Sequence, residues 1–215
     1  MIKHLLCVFA ICALTTGCAT KSLKVTAPAV TAPAQTLATV KIDTVNDLRK
    51  FVRAPQDPSI PSIEGDAIDD KKITDKAIGR MRHGMFHNAL WNYSLKDKDT
   101  IYSVCERIAS NSLTAAGYRV VDKNSPEYAS ATPVTVDVLQ FWIWMQPKFN
   151  IDLNYDGELS LTSTDKMINA SAKASNLVST AMATGGVWEK TVDGGIAKLQ
   201  ANLTEELVKN NKSKK

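Results

Sequence analysis

The chain has 215 residues, 44% hydrophobic and 22% charged, with a formal net charge of +4. That balance excludes a disordered or low-complexity chain, and so small a positive excess gives no footing for nucleic-acid binding. The length suffices for one domain with a substantial core, plus a leader and a tail.

Lys3 and an apolar run, Leu5–Leu14, precede Thr15-Thr16-Gly17-Cys18. A bilayer core needs about 20 apolar residues as a helix, so this run is too short to span. A charged start and small residues at the end mark it as a removed export signal. Cleavage after Ala19 is the plain alternative, since Gly17-Cys18-Ala19 is also small-x-small. Leu14-Thr15-Thr16-Gly17-Cys18 resembles the lipobox of bacterial lipoproteins. That resemblance implies removal of residues 1–17 and a Cys18 carrying diacylglycerol and fatty acid as the new N-terminus. Ala19, rather than Asp, in the next place implies the outer membrane. Cys7 and Cys12 leave with the signal, so Cys105 has no disulfide partner. Its place on the apolar side of a helix predicts a buried, inert thiol.

Residues 18–35 read as a tether, with Thr-Ala-Pro-Ala at 26–29 and again at 31–34. Alternating Pro and Ala would keep such a segment extended. A single domain over 36–209 and a basic tail over 210–215 follow. Leu37–Val45 alternates like a strand. Arg53–Lys72 holds Pro55, Pro58 and Pro61, and a loop so long is either functional or mobile. Ala77–Gly84 reads as a basic turn or short extended piece. Asp99 is placed to cap a helix through Ala116, stopped by Gly117, and Tyr118–Val121 returns as a strand. Val134–Met145 starts by alternating and then turns apolar on both faces, which suits a central strand. Ile151–Leu161 alternates apolar with Asp152, Asn154, Asp156 and Glu158, a strand with one wet face. Met167–Ala174 pairs back onto it. Trp188, Val192, Ile196, Leu199, Leu203 and Leu207 form an unbroken helical stripe. Gly194 and Gly195 inside it let the helix pack close to a sheet. The sum is an α+β fold: one mostly antiparallel or mixed sheet of four to five strands, with two main helices on one face.

Chemistry is sparse along this order. Asp152-Leu153-Asn154-Tyr155-Asp156-Gly157 opens like a calcium loop. The twelfth position, which should close the site with a bidentate carboxylate, is Ser163. The strict alternation also continues through these residues, so the strand reading wins. His83 and His87 stand four apart, but Gly84 occupies the place of a zinc protease's glutamate and no third ligand is evident. No nucleophile motif such as G-x-S-x-G accompanies them, and neither Gly185-Gly186 nor Gly194-Gly195 leads into the Lys-Ser/Thr of a phosphate loop. No catalytic residue, metal or cofactor is expected. Trp91, Trp142 and Trp144 form a possible binding patch, with core packing favoured for at least two of them. Arg80, Arg82 and His83 form the best surface cluster, although such clusters more often only line a solvated edge. Partner-binding candidates are therefore Arg80, Arg82, His83, Trp142 and Trp144.

The order of these features resembles the YajG-like family of Gram-negative outer-membrane lipoproteins. The resemblance rests on Cys18, on Asp47-Leu48-Arg49, on Ile78-Gly79-Arg80-Met81-Arg82-His83-Gly84 and on Ala115-Ala116-Gly117-Tyr118-Arg119-Val120. The Val134–Trp144 strand, the amphipathic strand after it and the C-terminal helix complete it. It implies an α+β domain in the periplasm, anchored by lipid to the outer membrane, with no catalytic residues to carry over. The expected function is a non-enzymatic binding or accessory module for an envelope protein or peptidoglycan. The alternatives are a structural subunit of a secretion or appendage complex, or a hydrolase with a non-standard site around His83, His87 and the acidic strand.

Overall fold

The computed structural model describes residues 19–34, 36–82 and 89–212. Its frame is a mixed eight-stranded sheet, larger than the four to five strands expected. The strands are β1 (Ala19–Leu23), β2 (Thr39–Asp47), β3 (Ala77–Arg82), β4 (Ala89–Leu95), β5 (Arg119–Val120), β6 (Thr132–Pro147), β7 (Ile151–Ser163) and β8 (Asn169–Thr180). The surplus is β1, β3 and β4. They are short, and register shifts near Ile78 and Arg82 break the alternation that would have marked the β3–β4 pair.

β6 is the axis, as its apolar character on both faces predicts. β7 runs antiparallel along its whole length, and β8 pairs onto β7. The opposite edge of β6 is divided. β2 pairs in parallel with Thr132–Val138, and β3 pairs in parallel further on, with Ile143 and Trp144. The sheet therefore forks, with β2–β5 on one arm and β3–β4–β1 on the other.

Arg49, just past the end of β2, fills the fork. Its Nε and Nη2 donate to the two carboxylate oxygens of Asp47 at 2.8 and 2.7 Å. Nη1 donates to the Ala77 carbonyl at 2.7 Å and, at 3.4 Å, to that of Phe141, while Nη2 reaches the Thr74 carbonyl at 2.9 Å. One buried guanidinium thus ties both arms to β6.

The long helices α2 (Ile101–Ala115) and α3 (Gly185–Lys212) cover one face of the sheet, as expected. A single-turn helix, α1 (Lys71–Thr74), precedes β3. Thr100, not Asp99, caps α2, in a reciprocal capping box with Ser103. Asp99 instead pairs with Arg107 at 3.4 Å. Gly117 takes φ +98° after the helix, the left-handed conformation that a C′ residue needs. The α3 stripe from Trp188 to Leu207 is buried throughout, and the helix runs to Lys212, into the expected tail. Gly195 lies against the Tyr155 ring, where any side chain would overlap it. Cys105 is fully buried in this core, and burial pushes its thiol up to about 12.

The N-terminal stretch differs from the expected tether. β1 pairs in parallel with β4 from Ala19 onward. Leu23 and Val25 are buried. The backbone N–H groups of Lys24 and Thr26 donate to Glu189 and Asp193 of α3, and the Pro28 carbonyl accepts from Asn111 and Gln200. Residues ahead of the expected start at 36 thus pack as part of the domain. The Pro/Ala composition is used by backbone groups that bond to side chains of α2 and α3, and composition alone does not show such bonds.

Replacing Arg49 with Met would leave the Asp47 carboxylate and the fork carbonyls without their donor. Removing one partner of a buried ion pair costs about 3–5 kcal/mol. Arg49→Met is expected to lose that much stability in urea unfolding, and a change below about 1 kcal/mol would show that the fork closes without it.

Candidate functional site

The second face of the sheet is covered by the chain between β2 and β3 rather than by the long helices. A bulge at Leu139 shifts the alternation of β6. Val134, Val136, Val138, Phe141, Ile143 and Met145 therefore face the helices, while Trp142 and Trp144 face the other way. A second register shift, near Ile78, turns Ile78 into the main core and puts Arg80 and Arg82 on the Trp side. The proline-rich segment 53–72 lies against them. Phe51 meets Trp142 edge-on at 6.1 Å, and the Trp142 indole donates to the Pro58 carbonyl at 3.2 Å.

The two arginines hold this cover in place. Arg80 is 2% exposed and pairs with Glu64 at 2.9 Å. Arg82 is 6% exposed and donates to the Pro55 carbonyl at 2.8 Å and to the Ser62 hydroxyl at 2.7 Å. Burial, and then the neighbouring Arg80 charge, lowers the Arg82 pKa from its ordinary value, with Glu64 opposing. The expected solvated edge is thus corrected. A strand that pairs on both sides cannot leave its residues on an edge, and these two side chains are drawn under the cover by backbone and hydroxyl acceptors. Four of the five partner-binding candidates, Arg80, Arg82, Trp142 and Trp144, do share one face, but as its buried floor. The fifth, His83, lies outside the described residues with Cys18 and His87.

Between this cover and the β1–β4–β3 arm lies a cavity of about 690 Å³. Arg80 and Asn92 form part of its floor, Ile63 and Ile73 give it apolar walls, and Lys72 and Asp66 stand at its rim. The Asn92 carbonyl oxygen is buried without a hydrogen-bond donor among the described residues. The volume falls within the range of small-molecule pockets, and apolar walls with a few polar groups are their usual make-up. Arg80 is already paired with Glu64, so Lys72 at the rim is the cation offered to an anionic group, and the Asn92 side-chain oxygen offers an acceptor to a donor beside it. This cavity leaves little mark on the sequence, because its lining comes from five separate elements. A more open hollow is lined in part by Leu48, Ile60 and Leu139, each an exposed apolar side chain.

The acidic face of β7 is engaged in structure. Asp152 takes an ion pair from Lys148 at 2.7 Å and a hydrogen bond from Ser179, which together hold its carboxyl below the ordinary range. Asp156 accepts from Ser175 at 2.5 Å, and Glu158 pairs with Lys173 at 3.0 Å. These residues run in unbroken strand from Ile151 to Ser163, which agrees with the strand reading over the calcium loop.

Arg82→Ala would strip the Pro55 carbonyl and the Ser62 hydroxyl of a donor. A loss of about 2 kcal/mol is expected, with faster proteolysis inside 53–62. Arg53→Ala, which breaks the exposed pair with Asp69 and an exposed hydrogen bond to the Gly65 carbonyl, is expected to stay within about 0.5 kcal/mol of the parent. Equal protease sensitivity of both variants would show that Arg82 does not hold the cover.

No protein-family model and no curated protein matches the sequence. Among solved structures, a Xanthomonas campestris protein of the DUF330 family superposes with a TM-score of 0.52 at 8% identity, over 91% of this chain and 99% of that one. A minor lipoprotein from Acinetobacter baumannii gives a TM-score of 0.36 at 14% identity, over 51% of this chain and 86% of that one. The likeness to the Xanthomonas protein is one of fold: this chain shares its α+β architecture over nearly the full length of both.

Proposed function

We propose that the chain is an exported outer-membrane lipoprotein, anchored through fatty-acylated Cys18, whose domain is a non-enzymatic binding module for an envelope component. One observation carries this reading. A charged start, an apolar run too short to span a bilayer and the closing Thr15-Thr16-Gly17-Cys18 together form an export signal that ends on a cysteine in lipobox-like order. The YajG-like order of motifs points the same way. No helix among the described residues is long and apolar enough to cross a membrane.

Binding in this reading falls to the cavity beneath the 53–72 cover. Its ligand carries an anionic group for Lys72 and a hydrogen-bond donor for Asn92 beside a short apolar part for Ile63 and Ile73, chemistry that an envelope protein segment or a peptidoglycan stem peptide can present. The non-enzymatic reading is supported by how the reactive groups are spent. The acids of β7 are paired within the sheet, and the Cys105 thiol is buried and far from ionising at neutral pH.

Cys18→Ala is expected to abolish metabolic fatty-acid labelling and to move the protein out of the membrane fraction. Labelling that persists in the variant sinks the lipoprotein reading. For the binding module, a photocrosslinking residue placed at Asp66 or Lys72 should trap a defined adduct in cells, identified by mass spectrometry. Adducts from these rim positions no different from those at exposed Lys123, on another part of the fold, would count against the cavity.

A further inference from the structure

The register of the sheet brings one set of side chains to the end where Cys18 joins. Ala19 pairs beside Trp91 near the start of β4, and Trp91 pairs with Met81 near the end of β3. β3 runs parallel to β6, with Arg80 beside Trp144, so β6 also ends here. The β6–β7 turn, from Lys148 to Asn150, and the end of β8 at Thr180, beside Ile151, lie at the same end. On this end Phe149 is fully exposed at the tip of its turn, and Met182, just past β8, is 69% exposed. Lys148 stands next to Phe149, and Lys21 lies over the Trp91 ring at 3.7 Å.

A lone exposed apolar side chain is ordinary on a protein surface. Position sets these two apart, because both occupy turn tips at the end from which the anchor leaves. No residue separates the acylation site from β1, so there is no slack to hold the domain away from the lipid. We infer that the domain sits directly on the bilayer with this end down, Phe149 and Met182 entering the boundary between headgroups and acyl chains. Lys21 then faces anionic headgroups, while Lys148 stays paired with Asp152. Two side chains are too few to hold a protein on a membrane. The acyl chains supply the hold, and Phe149 and Met182 set the orientation. The inference rests on the lipoprotein reading proposed above.

The test uses the acylated full-length protein, purified from membranes and reconstituted in phosphatidylethanolamine–phosphatidylglycerol vesicles with brominated acyl chains. Phe149→Cys, Met182→Cys and, at the opposite end in the β7–β8 turn, Met167→Cys each receive an environment-sensitive fluorophore. Met167 is 40% exposed, and Cys105 is too deeply buried to compete for the label. Quenching by roughly two-fold is expected at 149 and 182, with none at 167. If the protein floats with the vesicles but 149 and 182 are quenched no more than 167, the seating is overturned and acylation stands. A protein that neither floats nor carries fatty acid removes both.

Discussion

The fold depends on how the edge of β6 is shared. A strand edge offers one ladder of backbone groups, and here two parallel strands use it in succession, β2 and then β3. Where one leaves and the next begins, carbonyls from Phe141, Ala77 and Thr74 converge on Arg49. Arg49 suits this junction because its planar guanidinium carries five donors in a fixed fork. A lysine has three donors on a single nitrogen and could not reach the carbonyls and both carboxylate oxygens together. Burying the charge is costly, and the cost is met only because Asp47, the residue that ends β2, grips it in bidentate fashion. Strand end, countercharge and fork thus lie within three consecutive residues, Asp47-Leu48-Arg49.

The fork fixes where β3 lies, and β3 fixes the second face. Bulges at Leu139 and near Ile78 shift the alternation in β6 and β3, so that the tryptophans and arginines come to lie together on the side away from the helices. An apolar sheet face flanked by two buried cations needs a cover that supplies acceptors. The proline-rich segment does so with the Pro55 and Pro58 carbonyls, the Ser62 hydroxyl and the Glu64 carboxylate. Proline suits the task, since it fixes an extended backbone while leaving each carbonyl free to accept. The cavity is the space this cover leaves over the outer arm.

The parts of this arrangement that were legible in sequence are those set by local periodicity. The α3 stripe, the stop at Gly117, the β6–β7–β8 meander and the close approach at Gly195 each follow from spacing within one element. The bulges were not legible, because one extra residue turns a strict alternation into a run apolar on both faces, which is how Val134–Met145 read. Nor was the burial of Arg80 and Arg82, whose partners are mostly backbone oxygens distant in sequence and of no particular residue type. The N-terminal segment escaped for the same reason. Its composition is that of a linker, yet Lys24, Thr26 and Pro28 dock through backbone atoms that any residue carries. Of the cavity's lining, Arg80 was among the sequence candidates, but neither Asn92 nor the cover that encloses them was.

Docking of the N-terminus alters what an anchor at Cys18 would mean. A free tether of 18 residues would let the domain search a wide shell and would raise the local concentration of any partner within reach. With β1 starting at Ala19, that search volume vanishes, and the geometry of the fold takes over. Thr20 lines the cavity. Two residues of extended chain span at most about 7 Å, so the cavity wall lies within roughly that distance of the Cys18 α-carbon. In an anchored form, a ligand seated there would come close to the bilayer surface. The same five-residue strand that completes the sheet therefore limits an anchored form of this protein to membrane-proximal partners, and a partner held deep in the periplasm would have to extend a segment down to meet it.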